Sequence, residues 1–146
     1  MSAAARTRQF STFYVADRLY GIDVTEVQEV ARPLKITPIH LAPEYVLGLI
    51  NLRGQISTAI GLQQLFELKD ISDEEKMSIV CRCDGALVSL LIDQIGDVVE
   101  VSDESFEAVP LTVEPSTRRF LKGVYKTSDS ILSVIEINKI TNFLAK

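Results

Sequence analysis

The feature that most constrains the fold is a succession of short apolar segments separated by tight-turn sequences. In the clearest case, apolar and polar residues alternate over 77–83, and Asp84-Gly85 then leads into a second apolar segment, 86–92. Because glycine tolerates positive φ, Asp-Gly in this position predicts a two-residue hairpin turn. Similar pairs are 9–15 with 19–22, 48–52 with 55–60, and 120–126 with 131–137. Many short strands at this spacing predict a mainly β protein built from small barrels, because closing a sheet removes its exposed edges.

Helices are predicted to be few and short. Asp23, with Glu26 three residues later, is typical of a helix start, because the carboxylate can accept free backbone N–H groups. The apolar residues that follow recur at helical spacing and predict a helix that ends before Pro33; they are Val24, Val27, Val30 and Ala31. Glu29 would lie opposite this stripe and face a partner. Further short helices are predicted at 62–66 and at the C-terminus, where the inward stripe would be Ile137, Ile140 and Leu144.

One sequence pattern occurs twice. Ile22-Asp23 precedes Val-Gln-Glu-Val at 27–30, and Ile92-Asp93 precedes Val-Val-Glu-Val at 98–101, each copy following a predicted hairpin. Either this echo is a coincidence or the chain forms two similar lobes. We expect a single domain over 9–144 with approximate halves 9–69 and 77–144, and the polar stretch 70–76 would cross between them.

Composition excludes several classes of protein. Hydrophobic residues make up 47% of the chain and charged residues 24%, which is too apolar for a disordered chain. A net charge of −5 argues against nucleic-acid binding, which needs clustered Lys and Arg. No apolar run approaches the ~20 residues that span a bilayer, and no signal peptide is evident. We therefore expect a soluble cytoplasmic domain.

Residues able to carry catalysis or bind a metal are scarce. His40 is the only histidine, and the chain lacks a phosphate-binding loop, a nucleophile elbow and a zinc-protease motif. Cys81 and Cys83 share one face of a predicted strand and have no second pair, so we interpret them as structural thiols and expect no metal or cofactor. Between Asp84 and Thr117 there are eight acidic residues and no Lys or Arg, which indicates either a solvated acidic rim or a face that steers a basic partner.

The most informative single residue is Arg53, at the predicted turn before Gly54. It is either a solvated turn arginine or an interface anchor whose planar fork binds a carboxylate bidentately. No carboxylate follows closely in the sequence, so Arg53 is expected to have no internal partner.

Several motifs in combination resemble the CheW family, the coupling proteins of bacterial chemotaxis. They are Tyr-Gly-Ile-Asp at 20–23, Val-Gln-Glu-Val at 27–30, Pro-Glu-Tyr-Val-Leu-Gly at 43–48 and Ile-Asn-Leu-Arg-Gly at 50–54. The resemblance continues through 88–97, Leu-Lys-Gly at 121–123 and the segment 131–137. It covers about residues 9 to 144.

This resemblance implies two five-stranded SH3-like barrels on a shared core and no catalysis. It implies a cytoplasmic adaptor, recruited to membrane receptor arrays, that holds the histidine autokinase CheA, through its regulatory domain, to the cytoplasmic tips of chemoreceptors. The family's partner-binding positions correspond to Val27, Glu29, Val30, Gly48 and Arg53. At least one of Val27 and Val30 is expected to fill the core instead.

The chain departs from the family pattern after Gly54. The family usually has a proline and then Asp-Leu-Arg, where this chain has Thr58 and then Gly61, Leu62 and Gln63. An ion pair common in the family is therefore expected to be missing here.

The alternatives to a chemotaxis adaptor are a CheW-like module of a non-flagellar chemosensory pathway, a small enzyme or nucleotide-binding domain, and a nucleic-acid-binding barrel.

Overall fold

A computed structural model describes residues 6–32, 35–69, 76–127 and 129–145. Its strands are β1 (Thr7–Val15), β2 (Arg18–Asp23), β3 (Val27–Ala31), β4 (Val46–Leu52), β5 (Gln55–Gly61), β6 (Met77–Cys83), β7 (Ala86–Ile92), β8 (Gln94–Ser102), β9 (Phe106–Glu107), β10 (Leu121–Lys126) and β11 (Ile131–Ile135). The helices are α1 (Leu62–Leu65), α2 (Pro115–Arg118) and α3 (Ile137–Leu144), with 3₁₀ turns at Val24–Glu26 and Asp103–Ser105. Residues 70–75 of the predicted crossover lie outside the described residues. The mainly β architecture, with two sheets and few short helices, is confirmed.

The predicted hairpins form where turn residues permit them. In the β1–β2, β4–β5 and β6–β7 hairpins, both turn residues have positive φ, as a type I′ turn requires. Their φ values are +50° and +63° at Ala16-Asp17, +51° and +91° at Arg53-Gly54, and +50° and +82° at Asp84-Gly85. The fourth hairpin pairs β10 with β11, which ends at Ile135 rather than at 137.

The two halves of the chain exchange strands. The six-stranded sheet has the order β8-β1-β2-β11-β10-β9, and the five-stranded sheet has the order β3-β6-β7-β5-β4. The strand after the β1–β2 hairpin, β3, pairs with β6 of the second half, and the strand after the β6–β7 hairpin, β8, pairs with β1 of the first half. The sequence echo at 27–30 and 98–101 therefore falls on strands with equivalent places in the two sheets.

The predicted helix over residues 24–31 is wrong beyond its first turn. Asp23 does cap a turn, since its Oδ1 accepts hydrogen bonds from the Thr25 backbone N–H (2.9 Å) and hydroxyl (2.7 Å). The turn ends at Glu26, and the chain continues as β3 along the edge of β6. The residues at helical spacing are mostly valine, whose branched side chain suits a strand, and pairing with β6 outweighs the weak helical pattern.

The core forms three layers. A central layer lies between the sheets and includes Phe13, Tyr20, Leu90 and Ile140. Each of two smaller clusters lies within one sheet. The six-stranded sheet holds Phe10, Val101, Tyr125, Leu132 and Val134, and the five-stranded sheet holds Ile50, Leu52, Ala59, Val80 and Leu87. As predicted, α3 buries Ile137 and Ile140 in the central layer, with Leu144 packed against it. Among the described residues, no helix is long and apolar enough to cross a membrane.

Each sheet curls, so the chain that leaves the strand at one edge of a sheet returns to pair with a strand at the opposite edge of the same sheet. After β8 the chain makes a 3₁₀ turn and pairs through β9 with β10. After β3 it returns at Thr37, which forms an isolated bridge with Leu49 of β4. A glycine lies at the bulge where each return occurs, Gly48 in β4 and Gly123 in β10. A Cβ atom would collide with the Thr37 backbone at Gly48, and with the Phe106 ring and the Glu107 carbonyl at Gly123.

Candidate functional site

All five residues predicted to bind partners belong to the five-stranded sheet. Val27, Glu29 and Val30 lie on β3, Gly48 lies on β4, and Arg53 lies at the β4–β5 turn. In a flat sheet, β3 and β4 would be about 19 Å apart, because neighbouring strands are separated by about 4.8 Å. Curling of the sheet brings the two edges together, and the Arg53 guanidinium forms an ion pair with the Glu29 carboxylate.

The prediction that Arg53 has no internal partner is therefore wrong. Its partner, Glu29, lies 24 residues earlier in the sequence and on the opposite edge strand, so a search for nearby carboxylates does not find it. The Arg53 side chain is still 76% exposed, whereas that of Glu29 is 23% exposed. Glu29 thus accepts from Nη2 of the guanidinium, and most of the Arg53 side chain stays open to solvent.

Glu29 does not occupy the position predicted for it on a helix. In the strand, Val27, Glu29 and Ala31 are each half-buried, while Gln28 and Val30 are exposed. Val27 packs against the central core, which fits the expectation that one of the two valines is structural. Val30 is 43% exposed and is the apolar side chain of β3 that a partner can reach.

A second side-chain link closes the same end of the sheet. Arg82 on β6 donates from Nε to Gln28 on β3 at 2.9 Å and from Nη2 to Gln55 on β5 at 3.4 Å. Next to Gln55, the Ile56 side chain is 57% exposed. We call these neighbouring groups the edge patch, which comprises Gln28, Glu29, Val30, Arg53, Gln55, Ile56 and Arg82. Two arginines fix its polar groups, and its two exposed apolar residues, Val30 and Ile56, follow Glu29 and Gln55 in the sequence.

Gly48 is buried beneath the edge rather than exposed on it. Its φ is +145°, and a Cβ atom there would lie 2.2 Å from the Thr37 carbonyl oxygen. The glycine permits the chain after β3 to approach β4 closely, so its first role is to close the sheet. Its assignment as a partner-binding residue stays a prediction.

The departures from the family motif fall around α1 and Asp93. Gly61 precedes α1 without a side-chain cap, and Gln63 Nε2 donates a hydrogen bond to Asp93 Oδ1 at 2.7 Å. The cation beside Asp93 is Lys76, which immediately precedes β6. The Lys76–Asp93 ion pair thus forms next to α1, although Gln63 carries no charge. Sequence reasoning missed it because Lys76 and Asp93 meet only when β6 and β7 pair.

The two thiols are buried on the central-core side of β6. Burial raises the pKa of Cys81 to about 12, with smaller contributions from Glu26 and Cys83. A thiol with so high a pKa holds almost no thiolate at neutral pH and is a poor nucleophile. This environment agrees with the interpretation of Cys81 as a structural residue.

Comparison with known proteins gives consistent results at the level of family and of structure. The family model described as CheW-like domain matches residues 9–144. A chemotaxis protein CheW from Treponema pallidum is 31% identical over 137 residues, covering 90% of this chain and 81% of that protein. One from Bacillus subtilis is 28% identical over 143 residues, covering 96% and 91%. The crystal structure of scaffolding protein TtCheW from Thermoanaerobacter tengcongensis superposes with a TM-score of 0.82 at 29% identity, covering 90% of each chain.

Proposed function

Because the chain belongs to the CheW family of chemotaxis scaffold proteins, we propose that it is a non-enzymatic adaptor that couples chemoreceptors to the histidine autokinase CheA. Its partners are the regulatory domain of the kinase and the cytoplasmic tip of the receptors. The adaptor works in the cytoplasm and is recruited to receptor arrays at the membrane.

The observation that carries this proposal is the arrangement around Arg53. An arginine held by an internal carboxylate has lost part of its side-chain freedom before a partner arrives, which lowers the entropic cost of binding. The guanidinium N–H groups that Glu29 does not use can donate to a partner's carboxylate in the planar geometry that guanidinium favours. The exposed Val30 and Ile56 supply apolar area in the same edge patch. Arginine is among the residues that most often dominate protein interfaces.

The geometry favours binding by one barrel end against another. The edge patch lies where strand ends and turns meet, and its groups are fixed by side-chain links across the curled sheet. A rigid surface of this kind suits a folded domain such as the kinase regulatory domain, which the family resemblance makes a paralogue of this fold. Glu29, Val30 and Arg53 would contact the partner directly. Val27, through its packing on the core, and Gly48, through the close approach of Thr37, would hold β3 and β4 in place.

The test is to titrate the chain separately against a purified kinase regulatory domain and a receptor fragment. Arg53→Ala should weaken at least one of the two affinities by about 30-fold, since loss of an interface arginine costs roughly 2 kcal/mol or more. Arg53→Lys should restore only part of the affinity, because an ammonium cannot reproduce the planar fork.

Lys126→Ala provides the matched control. Lys126 is also exposed and also ion-paired, to Glu107 at 3.3 Å, but it belongs to the six-stranded sheet. Its substitution should leave the affected affinity unchanged. Equal affinities for Arg53→Ala and the parent chain, toward both partners, would remove Arg53 from the site. Failure of the parent chain to bind either partner would refute the adaptor function itself.

A further inference from the structure

The two sheets meet at a half-buried polar junction centred on Asp93, between β7 and β8. Three elements donate to its carboxylate. The Ala16 backbone N–H, in the β1–β2 turn, donates to Oδ2 at 2.8 Å; Gln63 Nε2, in α1, donates to Oδ1 at 2.7 Å; and the Lys76 ammonium pairs with the same Oδ1. The backbone N–H of Asp93 also donates to the Tyr14 carbonyl at 3.0 Å. We call this set of contacts the Asp93 junction.

The Asp93 junction adds side-chain contacts between the two sheets, next to the backbone hydrogen bond from Asp93 to Tyr14. Tyr14 and Ala16 belong to the first hairpin, in the six-stranded sheet, whereas Gln63 follows β5 and Lys76 precedes β6, in the five-stranded sheet. The side chains of Lys76 and Asp93 are only 17% and 26% exposed. Solvent and salt therefore screen this ion pair less than a pair on the open surface.

A polar junction can specify what an apolar core cannot. The central core holds the sheets together, but the hydrophobic effect is non-directional and tolerates small rotations of one sheet on the other. Hydrogen bonds to a charged group are directional, and in a half-buried site their loss is costly. Three donors from two sheets converging on one carboxylate select one relative orientation of those sheets.

We propose that Asp93 is a positioning residue that fixes the angle between the two sheets, and with it the geometry in which the adaptor presents two partners at once. The second part rests on the function proposed above. Binding of a single partner needs only one surface, whereas simultaneous binding needs both surfaces in the correct relative orientation, because avidity is lost when geometry forbids joint engagement. The Asp93 junction should therefore matter more to the ternary complex than to either binary complex.

The first measurement uses the chain alone. Cysteines are introduced at Val98 on β8 and Ile56 on β5, whose side chains are 60% and 57% exposed, and each cysteine receives a spin label. Pulsed electron paramagnetic resonance then gives the distribution of distances between the two labels. The parent chain without these cysteines reports any labelling of the two buried native thiols. Asp93→Ala should broaden the distribution at least twofold, and Lys76→Met, which keeps the other two donors, should broaden it less.

The matched control is Asp103→Asn. Asp103 also pairs with a cation, Arg8 Nε at 2.9 Å, but both residues lie on the six-stranded sheet or beside it. This variant removes the same charge without touching the contact between sheets and should keep the parent distribution. If Asp93→Ala does not fold, as judged by circular dichroism, Lys76→Met decides the result. An unchanged distribution in the folded Asp93 or Lys76 variant, or equal broadening in Asp103→Asn, would overturn the proposal.

The second measurement tests the consequence for assembly, on unlabelled proteins. In Asp93→Ala, affinities for the kinase domain and the receptor fragment taken singly should stay within threefold of the parent. Formation of the ternary complex should fall at least tenfold. Equal losses in binary and ternary binding would refute the link to assembly. The distance measurement uses no partner, so its outcome is independent of whether the adaptor function itself is correct.

Discussion

Replacing Gly48 with alanine should destabilise the fold far more than replacing Gly54, although both glycines have positive φ and belong to the same hairpin. An alanine Cβ at position 48 would lie 2.2 Å from the Thr37 carbonyl oxygen, whereas ordinary contacts begin at 3.4 Å, so the backbones must separate by about 1 Å. At position 54 a Cβ atom meets nothing within 4 Å. Gly54→Ala therefore tests the backbone conformation alone.

The magnitude for Gly48→Ala follows from two contributions. The positive φ itself costs about 1–3 kcal/mol for a residue with a side chain. Separation of the backbones also breaks the two hydrogen bonds between Thr37 and Leu49, each 2.8 Å long, at about 0.5–1.5 kcal/mol each. The sum is about 4 kcal/mol, which lowers Tm by roughly 8–16 °C in a chain of this size. Gly54→Ala should cost about 1–2 kcal/mol.

The assay is urea unfolding followed by circular dichroism, because the chain has no tryptophan to report unfolding by fluorescence. The two variants should have the same slope with denaturant and different midpoints. If Gly48→Ala unfolds within about 1 kcal/mol of Gly54→Ala, the steric argument for closure at Thr37 is refuted. If the Gly48→Ala variant is as stable as Gly54→Ala but no longer binds its partners, Gly48 acts at the binding surface instead.

Three further predictions follow from the site and its surroundings. Glu29→Lys places two cations together and should lower Tm by no more than about 3 °C, since the Arg53 side chain is largely exposed and can turn away into solvent. The double variant Glu29→Lys/Arg53→Glu should recover the loss. A larger drop in Tm that the swap does not reverse would place Glu29 in a different network. Burial, with repulsion from the carboxylates at positions 23 and 136, raises the pKa of Glu26, so its ionised form opposes folding at neutral pH. Glu26→Gln should therefore raise Tm at pH 7. The gain in Tm should disappear as pH falls through the pKa of Glu26 in the folded state toward its pKa in the unfolded chain. A lower Tm for Glu26→Gln at pH 7 would contradict this prediction. Changing Cys81 and Cys83 together to alanine should cost a few kcal/mol and leave partner binding intact, whereas loss of binding by a folded double variant would reveal a functional thiol.

The sequence predicted local structure well where a turn fixed it. Asp84-Gly85 and Arg53-Gly54 carry their turn type in two residues, and the strands on either side follow from alternation. The segment after Asp23 was predicted wrongly because its conformation depends on β6, which lies about 50 residues away in the chain. A weak helical spacing of valines cannot outweigh a strand partner that becomes apparent only in the folded sheet.

The site shows the same division between local and long-range information. The five predicted residues do lie on one sheet, but the internal partner of Arg53 depends on how that sheet curls. The cation beside Asp93 likewise comes from Lys76 rather than from position 63. In both cases the charge was visible in the sequence, and its partner was set by tertiary geometry that no local pattern contains.

The exchange of β3 and β8 between the sheets has a consequence for how the protein is made. During synthesis the β1–β2 hairpin emerges early, but the strands that flank it in its sheet, β8 and β11, are synthesised only after the β6–β7 hairpin. A nascent chain that stops at β5 lacks β6, the strand that pairs with β3, and also lacks β8 and β11, so both sheets are incomplete. Completion of both sheets therefore requires contacts between segments that are distant in the sequence, and we expect such contacts to slow folding. A truncated product therefore exposes unpaired strand edges and should be a substrate for chaperones or proteases rather than a partly working adaptor.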